Sequence, residues 1–138
     1  MASSLPDLTG FTILVLEDDP DGLQVLTTAL IACGARVVTA TDTMVARGHI
    51  ETVKLDLVVS DLGLPGESGA AFLEWLRMQP RDQGGSIAAI AVTGYPTEFP
   101  AVTLGGFAAY FQKPLDLENV CETISAILRP RSGSPQAR

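Results

Sequence analysis

The chain has 138 residues with a formal net charge of −7, and 46% of its residues are hydrophobic while 18% are charged. This composition fits one globular domain, excludes global disorder, and contains no apolar run near the roughly 18–20 residues that a membrane span needs. The acidic balance argues against nucleic-acid binding, which relies on clustered Lys and Arg, and favours a cation or a protein as ligand.

The two ends of the chain and its cysteines predict a cytoplasmic domain. Residues 1–10 lack the basic and apolar segments of a secretory leader and are expected to form an N-terminal extension. The domain proper is expected at 11–129, followed by a disordered Pro/Gly/Ser-rich tail at 130–138. Cys33 and Cys121 are expected to be free, buried thiols, because a domain of this size needs no disulfide.

Short apolar runs alternate with amphipathic segments along the chain. Strands are predicted where the runs are short, apolar and rich in β-branched residues: 11–16, 35–40, 55–60, 86–93 and 108–111. Helices are predicted where an Asp, Ser or Thr cap precedes an apolar stripe: about 19–33, 41–53, 68–78 and 116–128. This βα alternation predicts an α/β domain with an open parallel sheet and helices on both faces.

Several residues inside the predicted helices are interpreted as packing or surface residues. Met44, Val45 and Ile50 are expected to face the core from the second helix. His49, the only histidine, is expected to be a surface residue without a partner rather than a phosphohistidine. Trp75 is expected to pack against its neighbours rather than bind a cofactor.

Polar side chains follow the ends of four predicted strands. Glu17 and Asp18 follow the first strand, Asp61 the third, Thr93 ends the fourth, and Lys113 follows the fifth. Ligands of open α/β sheets bind at the carboxyl ends of the strands, so these side chains are expected to meet there. Taken singly, each has a plainer reading: a capping acid, a turn aspartate, a strand end or a solvated lysine.

Together these residue types suit one kind of chemistry. Clustered carboxylates repel each other, and a divalent cation offsets that repulsion; oxygen donors without His or Cys favour Mg²⁺. A carboxylate can attack phosphorus to give an acyl phosphate. The metal, an ammonium and a hydroxyl can then stabilise the three phosphoryl oxygens.

Four stretches carry a resemblance to a known family. They read I-L-V-L-E-D-D-P at 13–20, V-V-S-D-L-G-L-P-G at 58–66, I-A-V-T-G-Y at 90–95 and Y-F-Q-K-P-L-D at 110–116. In these stretches the chain resembles the receiver domain of two-component response regulators, and most of all the receivers of hybrid histidine kinases. The resemblance implies a flavodoxin-like (βα)5 fold, a three-layer sandwich with strand order 2-1-3-4-5.

The resemblance also implies roles for individual acidic residues and for one backbone carbonyl. Asp61 would be the phosphoacceptor and a ligand of Mg²⁺. Asp18 would bind the ion directly, and Glu17 would bind it through water or its shell. The backbone carbonyl of Gly63 would be a further metal ligand.

Three other residues would respond to the phosphoryl group. Thr93 would hydrogen-bond one phosphoryl oxygen and Lys113 would pair with another, with a cis peptide expected between Lys113 and Pro114. Tyr110 occupies the place of the family's rotating aromatic, so Thr93 and Tyr110 would form the switch. Phosphorylation would pull the threonine inward, and the tyrosine would follow into the vacated space.

The resemblance implies partners and limits on activity. A histidine kinase or a histidine phosphotransfer protein would donate the phosphoryl group, with no nucleic acid or membrane involved, and a weak homodimer is compatible with the family. The domain would not be an enzyme, beyond catalysing its own phosphorylation and dephosphorylation.

The chain departs from the family pattern in two places. Between Thr93 and Lys113 the chain contains Pro96, Pro100, Gly105 and Gly106, which predict a short or irregular fourth helix and with it an altered partner surface. Gly63 offers no side chain to position water and Tyr95 is bulky, so slow to moderate self-dephosphorylation is expected.

Two other classes of function compete with a phosphoacceptor. An aspartate-nucleophile phosphatase of the haloacid dehalogenase type needs a second Asp two residues after the nucleophile, where this chain has Gly63. A pseudo-receiver or flavodoxin-like binding module would lack the full set of acids, Thr93 and Lys113, or would carry a phosphate-binding loop after the first strand. Neither condition is met by this sequence.

Overall fold

A computed structural model describes residues 6–64, 66–94 and 106–129. Five parallel strands form one sheet in the order β2-β1-β3-β4-β5, which confirms the predicted strand order. The strands are β1 (Thr12–Leu16), β2 (Arg36–Ala40), β3 (Leu57–Asp61), β4 (Ala88–Thr93) and β5 (Ala109–Gln112). Asp61 is therefore the last residue of β3 rather than the first residue after it.

Each α-helix in the described part of the chain begins at a side-chain cap. The helices are α1 (Pro20–Ala32), α2 (Thr43–Thr52), α3 (Gly69–Arg77) and α4 (Leu117–Leu128), and a 3₁₀ turn lies at Arg81–Gln83. The caps are Asp19, Asp42, Ser68 and Asp116, whose side-chain oxygens accept backbone N–H groups three residues ahead. These local hydrogen bonds satisfy donors that the first helical turn leaves unpaired. The sequence predicted the caps Asp19 and Asp116 and the helix start at Ser68, and the structure decides between Thr41 and Asp42 in favour of Asp42.

The sheet is buried on both faces, which makes the domain a three-layer sandwich. Successive residues of a strand point to opposite faces, so Ile13 and Val15 pack with α1 and α4, whereas Leu14 and Leu16 pack with α2 and α3. Cys33 and Cys121 are free and buried in the α1–α4 layer, as predicted. Burial, together with the neighbouring Cys33, raises the pKa of Cys121 to about 12.

Two predictions for α2 were wrong. Met44 and Val45 are 80% and 44% exposed, because the helix begins at the Asp42 cap with Ala46 and Ile50 on its buried face. His49 also has a partner, since its Nε2 lies 3.0 Å from the carbonyl oxygen of Thr39.

The segment before β1 packs on the domain as well. Leu8 is fully buried, and its N–H donates to the carbonyl of Cys33 at 2.8 Å. Arg129, just past α4, donates to the carbonyls of Asp7 at 2.9 Å and Thr9 at 3.3 Å. Residues on both sides of the predicted 11–129 boundary therefore contact each other.

Three predictions fall outside the described residues. They are the irregular fourth helix, predicted between Thr93 and Lys113, where residues 95–105 are not described, the shielding role of Tyr95, and the disordered tail at 130–138. Within the described ranges, no helix combines the length and the apolar character needed to cross a membrane.

Candidate functional site

The carboxyl edge of the sheet brings the predicted polar residues together. Glu17 follows β1, Asp61 ends β3, Thr93 ends β4 and Lys113 follows β5. Parallel pairing aligns these strand ends, with Asp61 opposite Val92 and Thr93 opposite Gln112. Glu17, Asp61 and Thr93 are all buried, so this edge of the sheet carries a group of buried polar side chains.

Lys113 bridges the two buried carboxylates. Its Nζ donates to Oε1 of Glu17 at 2.8 Å and to Oδ2 of Asp61 at 3.0 Å. The other oxygens accept backbone donors, because the N–H of Asp19 bonds Oε2 of Glu17 and the N–H of Gly63 bonds Oδ1 of Asp61. A buried carboxylate needs such partners, since burying it unpaired costs several kcal/mol. The plainer reading of Lys113 as a solvated surface lysine is therefore wrong.

Burial and hydrogen bonding shift the pKa values of Glu17 and Lys113. Burial raises the pKa of Glu17 above its ordinary value, and Asp61 adds to this, although Lys113 and the N–H of Asp19 oppose it. Burial alone would lower the pKa of Lys113, but its hydrogen bonds to the two carboxylates and their charges outweigh this, so its pKa is raised. The lysine therefore carries its charge at neutral pH, whereas the ionised form of Glu17 is disfavoured by the fold.

Three carboxylates are placed as a cation site. One oxygen each of Glu17, Asp18 and Asp61 lies within 4.8 Å of the others. Glu17 and Asp61 are buried, whereas Asp18 is exposed, so the cluster opens to solvent on one side. Hard oxygen donors with this spacing fit Mg²⁺, which keeps part of its water shell. The position of the Gly63 carbonyl as a further ligand stays a prediction.

The two residues of the predicted switch differ in their surroundings. Thr93 is buried, and its carbonyl accepts the N–H of Lys113 at 2.8 Å. Tyr110 pairs with Ala91 across the β4–β5 ladder and is 60% exposed. The tyrosine side chain therefore points outward. The peptide bond between Lys113 and Pro114 is cis, as predicted.

Gly69 is a residue at this site that the sequence analysis missed. A Cβ at this position would clash with the carbonyl oxygen of Asp61 and would lie only 2.7 Å from Oγ of Ser60. The first turn of α3 therefore approaches the end of β3 more closely than any side chain allows. A glycine directly after the Ser68 cap, where a better helix former would be expected, was the available signal.

Replacing Glu17 with Gln is expected to raise the free energy of unfolding of the metal-free protein at pH 7. A carboxyl with a higher pKa in the folded than in the unfolded state binds its proton more tightly when folded, so its ionised form destabilises the fold. The gain is complete above the raised pKa and disappears below the unfolded value of 4.5, where the wild-type carboxyl is also neutral. Urea unfolding across this pH range with a chelator present measures the difference.

A matched control for this variant is Glu51→Gln, which removes an exposed carboxylate of α2. The control is expected to leave stability nearly unchanged across the same range. With saturating Mg²⁺ the wild type should become more stable than Glu17→Gln, because the variant lacks one of the three clustered carboxylates. A ligand at a hundredfold excess over its Kd stabilises a protein that binds it by about 2.7 kcal/mol. A Glu17→Gln protein that is less stable than wild type at pH 7 without metal would contradict the assignment.

The chain is similar to known proteins over most of its length. A family model described as the response regulator receiver domain matches residues 13–125. A 14.6 kDa protein of Leptolyngbya boryana, from the sodA1 3′ region, is 34% identical over 111 residues, covering 79% of this chain and 83% of that protein.

Solved structures share the fold. A CheY-like receiver domain from Methylobacillus flagellatus superposes with a TM-score of 0.77 at 24% identity, covering 90% of this chain and 99% of that one. The receiver domain of the sensor histidine kinase PA1611 from Pseudomonas aeruginosa, solved with magnesium in its active-site cleft, has a TM-score of 0.76 at 24% identity, covering 87% and 98%.

Proposed function

This chain belongs to the response regulator receiver domain family, and from that premise we propose that Asp61 is the residue that accepts its phosphoryl group. The domain is a phosphoacceptor in two-component signalling. The observation that carries the residue assignment is the bridge from Nζ of Lys113 to Asp61 and Glu17, with Asp18 completing a cluster of three carboxylates. The family membership argues against a phosphatase or a flavodoxin-like module. The complete set of acids, Thr93 and Lys113 argues against a pseudo-receiver.

The reaction follows from the geometry at Asp61. A carboxylate oxygen of Asp61 attacks the phosphorus of a phosphohistidine, a P–O bond forms, and the P–N bond breaks with its electron pair passing to the imidazole. Lys113, which bonds Oδ2 of Asp61, would pair with an oxygen of the transferred group. The N–H of Gly63 holds the other oxygen of Asp61 and so orients the carboxylate.

Mg²⁺ is the cofactor proposed for this reaction. Glu17, Asp18 and Asp61 would hold it, with the Gly63 carbonyl as a fourth protein ligand. When bound, the ion would neutralise charge on the phosphoryl oxygens and on the clustered carboxylates. The receiver domain of PA1611, with magnesium in its active-site cleft, supports this choice.

The switch is proposed to run through Thr93 and Tyr110. The hydroxyl of Thr93 would hydrogen-bond the phosphoryl group from the buried end of β4. Tyr110, exposed on the neighbouring strand, would then turn inward and remodel the outer edge of the sheet. A packing change at the edge would be the signal that partners read.

The partners and the cellular location are proposed from the family membership. A histidine kinase or a histidine phosphotransfer protein supplies the phosphoryl group in the cytoplasm, without a role for nucleic acid or membrane. The domain is not an enzyme toward other substrates, because its chemistry is confined to its own aspartate.

Beryllofluoride with Mg²⁺, an analogue of the phosphoryl group, provides the test. Amide NMR spectra are expected to shift at Gly63, Thr93 and Tyr110 when both components are present. Mg²⁺ alone should move only the residues around the acidic cluster, and Asp61→Asn should show no response to beryllofluoride. A wild-type spectrum that does not change with both components would overturn the proposal.

A further inference from the structure

The loop between β3 and α3 carries Gly63 to the side of Asp61. Leu62 and Leu64 are buried and anchor the first half of this loop in the core. The second half contains Gly66, which has a φ of +82°, a conformation that favours glycine. Gly63 has no side chain of its own, so its position depends on its backbone hydrogen bond to Asp61 and on contacts made by other residues of the loop.

Arg47 of α2 makes one of these contacts. Its guanidinium donates to Oε2 of Glu67 at 2.6 Å, in the last part of the loop. The guanidinium carbon also lies 4.9 Å from the ring centroid of Trp75, on α3, and that ring stacks on Phe72. Arg47 therefore connects α2, the loop and α3 through one planar group that bonds a carboxylate and stacks on an aromatic ring.

The geometry of the guanidinium matters here as well as its charge. Within the described residues, Nε of Arg47 is buried without a hydrogen-bond partner. An unpaired buried donor is unfavourable, so the group is held in place by Glu67 and Trp75 rather than by a fully satisfied network. A lysine would keep the charge but would lose the planar stacking surface.

We propose that Arg47 is a positioning residue for phosphorylation, because it fixes Glu67 and thereby the loop that presents Gly63 to Asp61 and to Mg²⁺. Arg47 acts through the loop and need not touch the reacting atoms. The inference rests on the proposed function of Asp61 and adds a residue from α2. It assigns the ion pair a role in the metal-binding step itself.

Charge and position make opposite predictions for Arg47→Gln. If only the positive charge mattered, removing it near an acidic site would tighten Mg²⁺ binding. If the loop is positioned by this residue, binding should weaken by about threefold to tenfold, as expected for losing a partly exposed ion pair and a cation–π contact that order a ligand. Isothermal titration calorimetry of Mg²⁺ into the full chain separates these two results.

Further variants complete the design. Glu67→Gln should weaken Mg²⁺ binding to a similar extent, and the double variant should be no worse than either single one, since both break the same contact. Arg47→Lys should recover part of the affinity. Arg36→Gln, which removes an equal charge from the start of β2 at the far end of the sheet, is the matched control and should bind like wild type or slightly more tightly.

A second readout keeps positioning distinct from loss of stability. Amide hydrogen exchange at Gly63 should accelerate about threefold to tenfold in Arg47→Gln under conditions where the sheet amides remain protected. Unchanged or tighter Mg²⁺ binding by Arg47→Gln, with wild-type exchange at Gly63, would overturn the role of Arg47 alone. A wild-type chain that binds neither Mg²⁺ nor beryllofluoride would instead overturn the proposed function.

Discussion

The Asp61→Asn protein is expected to accept no phosphoryl group from a phosphorylated histidine kinase or phosphotransfer protein. An amide is a far poorer nucleophile than a carboxylate and cannot form the acyl phosphate. Asn has nearly the same size, and Lys113 keeps its 2.8 Å hydrogen bond to Glu17, so the variant is expected to fold. Intact-protein mass spectrometry after incubation with candidate kinases of the same organism measures the gain of one phosphoryl group.

Asp19→Asn is the matched control for this loss. Asp19 lies in the same acidic run, but its Oδ2 accepts the N–H of Gly22 at 3.0 Å and caps α1. Asn caps helices about as well as Asp, so both stability and phosphorylation should be retained. Phosphorylation of the Asp61→Asn protein to the wild-type level would show that another residue is the acceptor.

Gly69→Ala is expected to lower the free energy of unfolding by about 1–3 kcal/mol, the usual cost of overpacking. Alanine gains about 0.5–1 kcal/mol of helix propensity over glycine, but the new methyl group would meet the Asp61 carbonyl and Oγ of Ser60. Backbone cannot move aside as a flexible side chain can, so the clash outweighs the propensity. Urea unfolding monitored by circular dichroism gives the change.

The same substitution should also reduce phosphorylation, because relieving the clash moves either α3 or the end of β3 that carries Asp61. Gly48→Ala is the control, since Gly48 lies inside α2 and a Cβ there has no atom within 4 Å. That variant should gain about 0.5–1 kcal/mol from propensity and keep its phosphorylation rate. Equal gains at both positions would refute the close approach between α3 and β3.

Three charged groups, Lys113, Glu17 and Asp61, form one network at the site. Lys113 is held by two buried carboxylates, so the ammonium stays fixed where a phosphoryl oxygen is expected. Burial raises the pKa of Glu17, so its ionised form is disfavoured in the metal-free protein. A cation bound at the proposed site would offset that cost, because it favours the ionised form of Glu17.

Much of the site could be predicted because parallel sheets place all their strand ends on one edge. Glu17, Asp61, Thr93 and Lys113 each follow or end an apolar run, and period and composition locate such runs from the sequence. The pairing of Lys113 with both carboxylates could not be read in this way. Lys113 is separated by 96 positions from Glu17 and by 52 positions from Asp61, so the geometry of these pairs depends on how the strands pack.

Local patterns were enough to predict the elements, their order along the chain and where the helices begin, because those signals act over a few residues. The caps at Asp19, Asp42 and Asp116 each bond a donor three residues ahead, so no distant contact is needed to predict a cap there. The folded packing was needed to learn which face of α2 is buried, why position 69 has no side chain, and that Arg47 reaches Glu67. These depend on how α2 and α3 rest on the sheet, and close packing between distant segments is set by the summed shapes of many side chains.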